Sequence, residues 1–274
     1  MRILNLFFAG TLAVSVLIAL FGAVRTTTAG PPVAGPQVPP AEAVLYDGSL
    51  GTLPAAQGMA YQAADTSGPS YTVEVVQSYA GDGARLDSTA DYEDAAGYSS
   101  MTTPLDRQQG VTIRFTLQIT AEDHTTSGTA DKDGDGLADR AGFSVIAISS
   151  DGRWGIELGF WEDEIWAQEG GQANLFTHAE GVTFSTAGLA TYELALLGDR
   201  YALSVQDSTI LSGTLRDYTA FDGLLDPYEI PNFLFFGDDT SSASADIKLT
   251  SIVIDDEGGS GSYKTLLPLV TIRQ

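Results

Sequence analysis

Between residues 111 and 120 apolar and polar side chains alternate without a break. Val111, Ile113, Phe115, Leu117 and Ile119 stand against Thr112, Arg114, Thr116, Gln118 and Thr120. A period of two belongs to a β-strand with one buried face and one wet face. Short runs rich in Val, Ile, Thr, Phe and Tyr, separated by Gly, Asp, Asn and Ser, continue from about residue 44 to 254. Residues 143–149 (FSVIAIS) are apolar almost throughout and predict a central strand. Residues 154–161 and 165–168 predict a hairpin turning at Glu162-Asp163-Glu164, and 191–197, 201–206 and 209–215 a meander. Residues 233–236 and 245–254 supply late strands. No useful helical period occurs in this region. The pattern therefore predicts one all-β domain, a two-sheet antiparallel jelly-roll sandwich, rather than two smaller domains.

Charge narrows the range of partners. The chain of 274 residues has a formal charge of −23, no cysteine and two histidines. Setting aside Arg2 and Arg25 leaves 11 basic against 36 acidic residues. Such a surface repels nucleic acid and anionic membrane, because phosphate binding needs clustered Lys and Arg. Disorder is the other origin of high net charge, but a 43% hydrophobic content argues for a core. Residues 3–24 are uncharged and largely apolar between Arg2 and Arg25, which fits a secretory signal peptide ending at residue 29. Their length also suits an uncleaved anchor. Residues 30–43 form a Pro/Gly linker, 44–254 the sandwich, and 255–274 an acidic Gly/Ser spacer with an apolar tail. The expected location is extracellular or cell-surface, with membrane contact only through the N-terminal segment or the tail. Lacking disulfides, such a protein needs packing and metal for stability.

The sequence DKDGDGLAD at residues 131–139 is the strongest chemical motif. Asp131, Asp133, Asp135 and Asp139, with the Leu137 carbonyl, form the oxygen-rich set that a hard cation such as Ca2+ takes, and Gly136 permits the turn. The twelfth position is Gly142, so the bidentate acid of an EF-hand is missing. No flanking helices are evident either. The loop reads as a calcium staple of the kind found in extracellular proteins, placed within a long connection between strands.

Catalytic motifs are sparse. Glu157, Glu162, Asp163, Glu164 and Glu169 form an acidic cluster, but the spacing does not put two carboxylates on one strand face as a retaining glycosidase requires. Glu157, Trp161 and Trp166 are the candidate ligand-binding residues, with Trp161 as an exposed sugar-stacking platform beside Glu157. The competing reading packs Trp161 against Trp166 at the hairpin end. Asp238-Asp239 reads as a turn more readily than as a second cation site. His124 and His178 lie near no nucleophile motif.

The segments LYDGSLGTLP (45–54), QG (57–58), LDSTA (86–90), RAGFSV (140–145), IELGFW (156–161) and FTHAEG (176–181) resemble the choice-of-anchor Y type domains of exported bacterial proteins. That resemblance implies the concanavalin-A-like, laminin-G-like jelly-roll group and attachment through variable terminal signals. The tail LLPLV (266–270) is similar to short endings on some bacterial secreted proteins. The group spans lectins, glucanases and adhesion modules, so fold does not choose a function. The expectation is a non-catalytic, calcium-stabilised module binding glycan or a cell-surface partner. The alternatives are a polysaccharide-active glycoside hydrolase and a purely structural matrix protein.

Overall fold

A computed structural model describes residues 42–65, 72–124, 131–134, 136, 138–223 and 226–255. The expectations for residues 1–41 and for the tail beyond residue 255 lie outside these. Sixteen strands follow one another: β1 (Glu42–Asp47), β2 (Ala60–Asp65), β3 (Val76–Ala80), β4 (Gly83–Asp87), β5 (Asp94–Ser100) and β6 (Val111–Asp123). After the acidic loop come β7 (Ser144–Ile148), β8 (Trp154–Phe160), β9 (Glu164–Gln168), β10 (His178–Thr183), β11 (Ala190–Leu197) and β12 (Arg200–Val205). β13 (Ser208–Thr214), β14 (Arg216–Asp217), β15 (Leu234–Asp238) and β16 (Ser244–Asp255) complete the set. Among the described residues the only helical elements are two short 3-10 turns.

The strands form two antiparallel sheets. The first runs β13-β12-β11-β6-β16-β4-β3, with β1 also on β16; the second runs β10-β9-β8-β7-β15-β5-β2, with β14 on β8. β16 hydrogen-bonds β6 along its whole length. Its other edge is shared, β4 taking residues 246–249 and β1 residues 251–255. The alternation in β6 therefore has its expected meaning. Ile113, Phe115, Leu117 and Ile119 are fully buried between the sheets.

Aromatic packing ties the layers together. Phe115 of the first sheet meets Phe236 and Phe160 of the second at centroid distances of 5.3 and 6.1 Å, and stacks on Tyr192 at 5.3 Å. β7 is apolar throughout because both its faces are covered. Val145 and Ala147 join the core between the sheets. Ile146 and Ile148 join a second cluster with Phe176, Tyr218, Tyr228, Phe233 and Phe235 on the outer face. Residues 175–176, 218–221 and 228–233 bring that cover.

The sandwich has two distinct ends. Glu42 pairs with Asp255, so the described chain enters and leaves at one end. Ser244 pairs with Asp123 at the other. At about 3.3 Å per residue, β16 separates these ends by roughly 36 Å. Loop residues 138–143 and 239–243 belong to the far end.

Gly142 sits where these loops meet. A Cβ there would lie 2.0 Å from the Ser244 carbonyl carbon, closer than any real contact. The residue that denies the acidic loop an EF-hand ligand is thus dictated by the close approach of β16. Gly142→Ala is expected to lower stability by about 1–3 kcal/mol through overpacking against backbone that cannot yield. A urea unfolding midpoint equal to wild type would contradict that contact.

Candidate functional site

Three acidic side chains of the loop lie close together. Carboxylate oxygens of Asp131, Asp133 and Asp139 lie within 4.8 Å of one another, a spread that a single calcium ion with oxygen contacts near 2.4 Å can span. The loop is pre-shaped for this. Gly134 N and Gly136 N donate to the Asp131 carboxylate at 2.6 and 3.0 Å. Asp139 is fully buried, and its carboxylate accepts from Lys132 N and, at 2.7 Å, from His178 N. Asp139 therefore anchors the loop to β10 as well as facing the other two acids. Asp135 and Leu137 lie outside the described residues.

Glu157, Trp161 and Trp166 do not form an exposed platform. Trp166 is fully buried and Trp161 is only 5% exposed. The two indoles pack against each other at 5.4 Å. His124 stacks on Trp161 at 4.1 Å and His178 on Trp166 at 4.4 Å, so the rings form a four-membered stack with the half-buried His124 at its outer end. Trp161 Nε1 donates to the Arg140 carbonyl at 3.1 Å, tying the stack to the acidic loop's end. Strand alternation places Trp161 on the outer face, but the alternation cannot show that this face is covered.

Glu157 points the same way from β8 and is also fully buried. Its Oε2 accepts from the Tyr228 hydroxyl, and its Oε1 lies 3.5 Å from Arg140 Nη1. Arg140 Nη2 donates to Asp239 Oδ2 at 3.1 Å. One guanidinium thus bridges a strand carboxylate and a loop carboxylate. Burial pushes the Glu157 carboxyl up to about 8, assisted by the nearby charge of Asp239 and opposed by Arg140 and the Tyr228 hydroxyl. Asp238, fully buried, accepts from Ser88 Oγ at 2.6 Å, and Thr240 N closes on it at 3.1 Å. The Asp238-Asp239 pair is therefore a structural turn that aims Asp239 at Arg140.

Above this network opens a pocket of about 380 Å3. Phe176, Phe221, Pro227 and Tyr228 supply its apolar wall, and Lys132, Arg140 and Asp239 its charged groups. Thr240, Ser241 and Ser242 add a hydroxyl rim. The wall is packed firmly. Phe176 meets Tyr228 at 5.3 Å and Phe221 at 5.4 Å. Arg140 lies over the Phe176 ring at 5.1 Å and Lys132 Nζ at 5.9 Å, so two cations share one buried aromatic ring. Phe176 adopts a left-handed backbone with φ 59°, unusual for a bulky residue. Its N–H bonds to Glu169 O and the following N–H to Asn174 O, at 2.9 and 3.1 Å. Such strain costs on the order of 1–3 kcal/mol and clusters at ligand-binding positions.

Sequence spacing does not reveal this pocket. Asp239 is 99 residues from Arg140, and Tyr228 is 71 from Glu157. The one legible signal is the acidic loop, whose Lys132 and adjoining Arg140 form one wall.

No protein-family model matches the chain, and no curated protein matches it. Similar solved structures include a carbohydrate esterase from the Shiga toxin-encoding bacteriophage phi24B, at 14% identity and a TM-score of 0.48, covering 78% of this chain and 99% of that one. A protein of unknown function from Shewanella oneidensis is similar at 11% identity and 0.47, over 78% and 85% of the two chains. A galectin-like protein of unknown function from Bacillus subtilis stands at 9% and 0.44, over 78% and 96%. At these values the likeness concerns the fold alone.

The Glu157 environment has a consequence for stability. Its carboxyl holds a proton in the folded chain up to about 8 but releases it near 4.5 when unfolded. Stability from this group is complete below 4.5 and falls as pH rises toward 8. Glu157→Gln stays neutral and removes that fall. Urea unfolding across this window is expected to show the variant gaining on wild type as pH rises. A difference constant with pH would mean that Glu157 is ionised throughout.

Proposed function

We propose that the chain is an exported, non-catalytic β-sandwich module that binds glycan in the Phe176–Tyr228 pocket. The observation that carries this reading is the pocket itself. The half-buried Phe221 and Pro227, backed by the buried Phe176 and Tyr228, adjoin a carboxylate, two cations and three hydroxyls, the combination that grips a sugar by its apolar ring face and its hydroxyls. Its place supports the reading. The rim 239–242 directly precedes β16, at the end opposite to Glu42 and Asp255. A module tethered through either terminal segment would carry its pocket outward. The choice-of-anchor Y resemblance, with export and terminal attachment, belongs to the same proposal.

Two features favour binding over hydrolysis. Glycoside hydrolysis requires two carboxyl groups flanking the scissile bond at about 5–9.5 Å. Among the described residues Asp239 is the one carboxylate lining the pocket, and Glu157 is walled off behind Tyr228 and Arg140. Glu157 then acts as a positioning residue for those two side chains. A glycan array should give saturable binding that Phe221→Ala lowers by about two- to tenfold, since an aromatic ring contact contributes about 0.5–1.5 kcal/mol. Silence across polysaccharides, or binding indifferent to Phe221→Ala, would remove the glycan reading.

Calcium completes the proposal. Asp131, Asp133, Asp135, the Leu137 carbonyl and Asp139 would hold the ion, which would fix Lys132 and Arg140 at the pocket wall. Melting temperature is expected to rise with added calcium and fall with chelator, and Asp131→Ala with Asp133→Ala to abolish that dependence. Asp139→Ala should destabilise the chain even in chelator, because His178 N loses its acceptor. An unchanged melting curve in excess chelator would contradict calcium binding.

A further inference from the structure

Charge within the pocket singles out one class of sugar. The chain is strongly acidic, yet the pocket carries Lys132 and Arg140 against the single carboxylate of Asp239. Arg140 is committed to Asp239 at 3.1 Å. Lys132 is different. Its side chain is exposed, its Nζ donates to the Leu175 carbonyl at 2.9 Å, and among the described residues no carboxylate pairs with it. An ammonium has three donors, so two remain for a ligand. The Leu175 bond also holds Nζ over Phe176, which packs on the half-buried Phe221 at 5.4 Å, so Lys132 and Phe221 face the same pocket. A cation at the mouth of a pocket offers an anionic group a direct partner.

We propose that the pocket selects a carboxylate-bearing sugar, a uronic acid unit, whose carboxylate rests on Lys132 while its ring lies against the half-buried Phe221 and Pro227. The hydroxyls of the same ring meet Asp239 and the exposed Ser241. A neutral sugar keeps the ring contact but leaves Lys132 facing solvent. An acidic sugar adds a charge-assisted hydrogen bond, the stronger kind. This inference rests on the glycan-binding reading of the same pocket.

Carboxyl-reduced glycans test it directly, because reduction turns each uronate into the parent hexose and changes nothing else. Titration calorimetry would compare oligomers of galacturonate, glucuronate and mannuronate with their reduced counterparts. At least one acid form is expected to bind about tenfold or more tightly than its reduced product. Lys132→Gln should abolish that preference, the acid and reduced forms then binding alike. Phe221→Ala should weaken both forms. Equal binding of acid and reduced forms, or a preference that survives Lys132→Gln, would overturn the inference and leave the glycan reading standing. Failure of every acid form to bind would overturn it too, with neutral hits on the glycan array then deciding the glycan reading separately.

Discussion

The guanidinium of Arg140 is the tie on which the far end of this sandwich depends. It joins three segments distant in sequence: the end of the acidic loop that carries it, β8 through Glu157, and the turn before β16 through Asp239. Such a tie is costly to make and more costly to break. Removing Asp239, the charged partner, strands the Arg140 guanidinium, at about 3–5 kcal/mol. Tyr228 and Phe176 complete the assembly, one donating to Glu157 and the other lying under the cation. The pocket is thereby built on side chains that hold one another in place, a condition for a pre-formed binding site, though Asp239 Oδ1 has no hydrogen-bond partner among the described residues.

The acidic loop and the pocket are two faces of one structure. Asp139 faces the other loop acids and also receives His178 N. Lys132 stands between Asp131 and Asp133 yet reaches the Leu175 carbonyl in the loop that presents Phe176. Any ion that neutralises the loop would act on the pocket within two residues. The long pairing of β16 with β6 gives this end a rigid base, since the rim turns straight into a strand bonded along its full length.

Much of the fold was legible because periodicity reports burial. β6 alternates because one of its faces is wet, and β7 does not because loops cover its outer side. The early strands were harder. β5 reads DAAGYSS, with Gly97 where a Cβ would meet the Phe235 ring at 2.4 Å, so its small residues answer to close packing and mimic a turn-rich loop. β10 is irregular against β9, with a register shift between His178 and Gly181 that breaks any simple pattern. The site was half legible. Alternation put Glu157 on the outer face correctly, but what covers that face comes from residues 218–221 and 228–233, and no local spacing announces it. Gly142 was read as a missing ligand when its cause is the backbone of Ser244.

The central claim is that ligand enters the pocket at the end opposite to Glu42 and Asp255. Chemical-shift mapping of the labelled protein during titration with a bound oligosaccharide tests this most directly. The account predicts shifts concentrated at Lys132, Arg140, Phe176, Tyr228 and residues 239–242, with the β6, β11 and β16 face of the first sheet unchanged. Shifts centred on that first sheet, or on residues 42–50 and 250–255, would contradict it.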